Sequence, residues 1–229
     1  MVLIIRDFVL EHGKCGRSCV DCGPIKCNTG RGNYPDDFCL TTMLDEKEKS
    51  ALMELYGDPV NKAVMTQAAQ IEYDGYCRLT RVEETVEFAR RMGFRRIGIA
   101  TCAGLIQESR ILTRILRESG FEVFGAVCKA GAIDKTQVGI APECESIGPH
   151  MCNPILQARQ LARDRTEFNI VVGLCVGHDS LFYKYTESLT TTLVVKDRMT
   201  VHNPAAVLYA ANGYYKKKLD ALSEDAPRE

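Results

Sequence analysis

From residue 95 onward, short continuous apolar runs alternate with longer amphipathic stretches. RRIGIATC, FEVFGAVC, NIVVGLC and TTLVVKD have the length and β-branched content of buried strands. Between the first two, AGLIQESRILTRILRESG places Leu105, Leu112, Ile115 and Leu116 on one helical face before Gly120. Asn153 followed by Pro154 predicts a capped helix start, and GHDSLFYKY predicts a short helix. Asn203 followed by Pro204 repeats that device and predicts a closing helix through KKKLDAL. Uninterrupted apolar strands separated by amphipathic helices imply a parallel sheet covered on both faces. The expected fold is therefore α/β, a small doubly wound parallel sheet of about four strands. Upstream, three helical stretches stand out. DEKEKSALMELYG opens with acids, DPVNKAVMTQAAQIEY begins with Asp58 and Pro59, and TRVEETVEFARRMG carries a Thr80/Glu83 capping box and stops at Gly93. The predicted organisation is a cysteine-rich head over 1–44, a helical connector over 45–75 and an α/β domain over 76–229.

Charge narrows the function classes. Lys plus Arg number 29 against 30 Asp plus Glu, a formal net charge of −1. Such a balance provides no basic field for a phosphate backbone, so no nucleic-acid partner is expected. The run Lys216 to Lys218 suits a solvated helix face. MVLIIRDFVL is broken by Arg6 and Asp7, is too short to span a bilayer and lacks a signal-peptide cleavage pattern. No membrane partner is expected, and the expected location is cytoplasmic. Eleven cysteines in a reducing compartment then point to metal ligation or thiol chemistry rather than to disulfides.

The cysteines fall into two groups. In the head, Cys19, Cys22, Cys27 and Cys39 are spaced C-x2-C-x4-C-x11-C among glycines. Thiolates this close can wrap a tetrahedral zinc ion or an iron–sulfur cluster. The compression of three ligands into nine residues leans toward the cluster. Cys15, Cys19 and Cys22 also form C-x3-C-x2-C, the spacing used by radical enzymes that cleave S-adenosylmethionine, but too few strand–helix units follow to build their partial barrel. A purely structural metal knot fits the same segment.

The second group is dispersed. Cys102, Cys128 and Cys175 each close a predicted strand, so all three are expected at the carboxyl edge of the sheet, where ligands of open α/β folds bind. Strand order 2-1-3-4 would put them on three adjacent strands, about 4.8 Å apart. Cys152, just before a capped helix, can drop onto the same edge. His178, Asp179 and Ser180 follow Cys175 at a helix N-terminus, which lowers thiol pKa and favours anions. Lys129, Lys196, Asp197 and His202 fall near the same edge. Buried cysteines are commonly mere small apolar residues, but three at equivalent positions argue for a site. Cys77 and Cys144 lie in turn-like sequence with no assigned role.

Together, C-V-D-C-G-P-I-K-C with Cys39, T-R-V-E-E, A-T-C-A-G-L-I-Q-E, V-C-K-A-G, M-C-N-P-I, V-V-G-L-C-V-G-H-D-S-L-F and V-K-D-R with H-N-P resemble a prokaryotic family of uncharacterised cysteine-rich metal-binding proteins, found mostly in anaerobes. The resemblance covers nearly the whole chain. It implies a metal site at Cys19, Cys22, Cys27 and Cys39 joined to an α/β domain, and no assigned reaction.

The leading expectation is a metal-binding protein, holding an iron–sulfur cluster or Zn2+ in the head, with redox or thiol chemistry in the crevice. There Cys102, Cys128, Cys152 and Cys175 would hold a second cluster or metal, or act with His178 on a small-molecule substrate, supplied with electrons by the head or a transfer partner. A zinc-stapled module that binds a small anionic ligand without turnover is the alternative. Metal-free thiol transfer with Cys175 as nucleophile is the third.

Overall fold

The computed structural model describes residues 17–23, 26–30, 34–35 and 38–224. Cys15 and the MVLIIRDFVL segment lie outside them. The chain forms two compact units, Met1–Thr66 and Gln67–Glu229.

In the first unit, 3-10 turns form at Cys19–Asp21 and Lys26–Asn28, followed by α1 (Leu40–Met43) and α2 (Glu46–Gly57). Asp45 starts α2 through a reciprocal cap: its Oδ1 accepts from the Glu48 N–H at 2.8 Å, and Glu48 Oε2 accepts from the Asp45 N–H at 3.1 Å. The unit boundary falls within α3 (Pro59–Gly75), where Asp58 caps the start by accepting from the N–H groups of Val60 and Asn61.

The second unit continues with α4 (Arg81–Arg91), held at its start by Thr80 and Glu83 as the capping box predicts. Then come β1 (Arg96–Thr101), a 3-10 turn at Ala103–Leu105, α5 (Ile106–Glu118) and β2 (Glu122–Val127). A long loop with two 3-10 turns leads to α6 (Pro154–Arg163), whose cap is Asn153 Oδ1 accepting from the Leu156 N–H at 3.0 Å. β3 (Phe168–Val172), α7 (His178–Tyr185) and β4 (Leu189–Val194) complete the sheet. All pairings are parallel in the order β2-β1-β3-β4, the expected doubly wound arrangement.

Strand alternation sorts the core into two layers. Ile97, Ile99, Val123, Phe168, Ile170 and Val172 face α4 and α5, meeting Val86, Ala89, Leu112 and Leu116. Ala100, Ala126 and Val171 face the other way, against Ala158 and Leu161 of α6 and Phe182 of α7.

Gly98 lies at the closest approach in that second layer. A Cβ there would sit 2.1 Å from Asn169 Oδ1 and 2.9 Å from Leu161 Cδ1. Asn169 cannot yield freely, because it is buried, accepts from Thr166 Oγ1 at 2.8 Å and donates to Thr186 Oγ1 at 2.9 Å. Gly98→Ala should therefore cost about 2–3 kcal/mol, read as a lower urea midpoint at unchanged m-value.

Two expectations need correction. The closing helix is two pieces, α8 (Ala205–Tyr209) and α9 (Lys216–Glu224), with no side-chain cap from Asn203. Asn212-Gly213 supplies turn-forming sequence between them, and the Gly213 and Tyr215 N–H groups both return to the Ala210 carbonyl. The strands also stop earlier than the apolar runs do. Cys102 and Cys128 each follow their strand by one residue, but β3 ends at Val172, three residues before Cys175. Gly173 adopts φ +66°, a left-handed conformation that leaves the strand path. Among the described residues no helix is long and apolar enough to cross a membrane.

Candidate thiol site

The ladder positions the first two thiols. Thr101 pairs with Val127, so Cys102 and Cys128 are next in register and share the face that carries Ala100 and Ala126. The sheet pattern continues one step past the strands: the Cys128 N–H donates to Thr101 O at 2.9 Å and the Cys102 N–H to Val172 O at 3.0 Å. Gln157 of α6 ties both strand ends together, its Nε2 donating to Thr101 O at 3.1 Å and Ala126 O at 2.7 Å.

A third thiol arrives from the loop. The Asn153 N–H donates to Cys128 O at 2.7 Å, which brings Cys152 onto Cys128 just before α6 begins. Cys128 is 3% exposed, and the half-buried Cys102 and Cys152 both pack against the apolar cluster that contains it. The Cys128 sulfur accepts from the Ala103 N–H at 3.3 Å.

His178, the first residue of α7, hydrogen bonds Cys152. In sequence His178 follows Cys175 closely, but the early end of β3 displaces Cys175, whose carbonyl instead accepts from the N–H groups of His178 and Asp179. The Cys175 sulfur accepts from Arg198 Nη2 at 3.3 Å.

The charges follow this contact pattern. Cys102 is lowered from the ordinary 9.0 to about 5, chiefly because Cys128 donates to its thiolate. Burial opposes that shift, while the Gly104 backbone and Lys196 add to it. Cys152 falls to about 4, again first through Cys128, whose single S–H serves one thiolate at a time, and then through His178, against burial and with help from Lys129. Cys128 is pushed strongly upward by its two thiolate neighbours and by burial, so it keeps its proton. His178 is raised by the thiolate of Cys152 and favours imidazolium. These shifts together favour a proton on Cys128 and negative charge on Cys102 and Cys152, with Lys196 acting on Cys102 and His178 and Lys129 acting on Cys152.

In the head, Cys19 and Cys27 are exposed and Cys22 and Cys39 half-buried. Cys22 closes the first 3-10 turn, its N–H donating to Cys19 O at 3.2 Å, and Cys39 immediately precedes α1. Among the described residues no group of three or more His, Cys, Asp or Glu side chains is placed to hold a metal ion. Elsewhere, His150 pairs with Asp134 at 3.2 Å, and His202 Nδ1 accepts from the Asp197 N–H at 3.1 Å. Cys77 and Cys144 are exposed.

Sequence reasoning missed Arg198 and Gln157. Arg198 follows β4 by four residues, so extending the strand-edge rule to the fourth strand would have found it. Gln157 carries no such signal, since a glutamine on an amphipathic helix ordinarily faces solvent.

A family described as "Protein of unknown function (DUF1847)" matches residues 39–193. The chain belongs to the DUF1847 family. The matched DUF1847 span contains Cys102, Cys128, Cys152, Cys175 and His178, whereas Lys196 and Arg198 follow it and Cys19, Cys22 and Cys27 precede it. The uncharacterized protein MJ0455 of Methanocaldococcus jannaschii is 39% identical over 201 residues, covering 88% of this chain and 97% of that protein. No solved structure matches.

Proposed function

We propose that the protein is a thiol–disulfide redox protein whose reactive centre is Cys152 with Cys128 and His178. The observation that carries this reading is the packing of Cys152 beside the buried Cys128, fixed by the 2.7 Å hydrogen bond from the Asn153 N–H to Cys128 O, with shifts that favour a thiolate at Cys152 and a proton on Cys128. Cys152 thiolate is the nucleophile toward a small disulfide, R–S–S–R. Attack forms Cys152–S–S–R, and the departing thiolate takes the His178 proton. Cys128, giving up its proton toward the departing sulfur, then attacks Cys152 Sγ, so that the Cys128–Cys152 bond forms, the Cys152–SR bond breaks and the second RS⁻ leaves as a thiol. A dithiol reductant restores the starting state.

Equilibrating the full chain across thiol–disulfide buffers of graded potential, then alkylating and mapping peptides, tests this. Cys128 should lose alkylation at one potential together with one neighbouring thiol of the site. If Cys128 stays alkylatable throughout, the non-catalytic binding reading takes over.

For the head, we propose that Cys19, Cys22, Cys27 and Cys39 bind a soft metal, as an iron–sulfur cluster or as zinc. The support is the spacing and the all-sulfur donor set. The described residues do not gather three of these donors, so no chemical step is assigned to that group. An anaerobic preparation should contain either iron with acid-labile sulfide or zinc, lost in Cys22→Ser. A preparation free of all three overturns the assignment.

A further inference from the structure

We propose that Cys102 is a third redox thiol, and that the disulfide formed at Cys152 is handed through Cys128 to Cys102. This relay rests on the thiol–disulfide reading above and extends it. A two-thiol centre needs a nucleophile and a resolving partner; Cys152 and Cys128 already fill those roles. Cys102 nevertheless packs against the same buried cluster from another element, next to Cys128 in register at the end of β1, while Cys152 comes from the loop before α6. It also has its own cation. A Cβ built at Gly104 would lie 3.8 Å from Cys102 Sγ and 3.7 Å from Lys196 Nζ, so thiol and ammonium flank one small space. Cys128 itself is 3% exposed, which leaves it reachable chiefly through its two sulfur neighbours.

The steps balance. Once Cys152 carries the mixed disulfide, one of the two negative neighbours of Cys128 is gone. Cys102 thiolate can then accept the Cys128 proton. The Cys128 thiolate attacks Cys152 Sγ, the Cys128–Cys152 bond forms, and the second RS⁻ leaves, taking the proton held on Cys102. Cys102, again a thiolate, attacks Cys128 Sγ. The Cys102–Cys128 bond forms, the Cys128–Cys152 bond breaks, and the electron pair departs on Cys152. The oxidant is the small disulfide alone, and the net reaction consumes one proton, supplied by His178. Exchange favours expulsion of the more stabilised thiolate. Once solvent returns a proton to His178, Cys152 has both that imidazolium and Lys129 beside it, against Lys196 for Cys102, so the disulfide should come to rest on Cys102–Cys128.

Time-resolved disulfide mapping tests this on the full chain, reduced under nitrogen and mixed with one equivalent of oxidised glutathione. Samples are quenched in acid, alkylated and digested for mass spectrometry. Glutathionylated Cys152 should appear first, then Cys128–Cys152, then Cys102–Cys128 as the main product. Cys102→Ser should stop at Cys128–Cys152. Cys152→Ser should slow formation of Cys102–Cys128 about tenfold or more, because direct capture then falls to the less favoured thiol. A wild-type chain that retains Cys128–Cys152 while Cys102 stays fully alkylatable overturns the relay and leaves the two-thiol reading standing. Equal rates in wild type and Cys152→Ser overturn it too. Absence of any disulfide at Cys128, with Cys152 unmodified, overturns the underlying reading itself.

Discussion

Alkylation of Cys152 by iodoacetamide should run at a nearly constant rate between about pH 8 and about pH 6, while free cysteine in the same tube slows about 70-fold. Only thiolates react, so the rate follows the ionised fraction. Free cysteine, with a pKa of about 8.5, loses ionisation across that whole range. Cys152, lowered to about 4 by Cys128 and His178, loses almost none. Comparing the shapes of the two profiles removes the effect of half-burial, which scales the rate but not its pH dependence. The absolute rates should cross. A thiolate of such low basicity is a weaker nucleophile by about 100-fold, so Cys152 should lag free cysteine near pH 8 and lead it near pH 5. Cys102, lowered to about 5, should behave similarly, with its fall-off beginning about one pH unit higher. His178→Ala removes the second-largest cause of the Cys152 shift and should move its fall-off to higher pH. Peptide-resolved mass spectrometry reads all of these at once. A Cys152 profile that tracks free cysteine would refute a resident thiolate.

Much of this arrangement is legible before any coordinates. Cys102 and Cys128 follow apolar runs in parallel strands, and equal register with equal parity sends both to one face of one edge. The capping boxes at Thr80 and the Asn153-Pro154 start are local chemistry, readable from neighbouring residues alone. What escaped depends on single backbone choices or distant contacts. Leu174 is as apolar as the strand before it, and only the left-handed Gly173 separates them, so the run overstates β3 and misplaces Cys175. Cys152 reaches the site through one hydrogen bond from Asn153 to Cys128, a partner 25 residues upstream in sequence. The pairing of His178 with Cys152 follows from those two facts. The residues of the site were therefore visible as a set, while which of them meet was set by tertiary structure.

Gly173→Ala should lower stability by about 3 kcal/mol and change the thiol site with it, which separates this glycine from Gly98. The backbone at φ +66° penalises any side chain by about 1 kcal/mol. The new methyl would then meet Leu105, with Cδ1 at 1.9 Å and Cγ at 3.2 Å. Leu105 is 3% exposed and packs in the layer that holds Leu112 and Leu116, so it has little room to retreat. Overpacking of this kind adds about 2 kcal/mol. Leu105 also ends the 3-10 turn whose first N–H, that of Ala103, donates to Cys128 at 3.3 Å, and its own N–H donates to Cys102 O at 2.9 Å. Displacing Leu105 loosens the turn that also presents the Gly104 N–H, the backbone donor to the Cys102 thiolate, so the Cys102 alkylation fall-off should move to higher pH. Gly98→Ala, which presses on Asn169 and Leu161 instead, should lose comparable stability with the Cys102 profile unmoved. Urea midpoints paired with alkylation profiles distinguish the two. If Gly173→Ala loses stability while Cys102 titrates as before, the turn does not hold that thiolate, and Lys196 and Cys128 suffice.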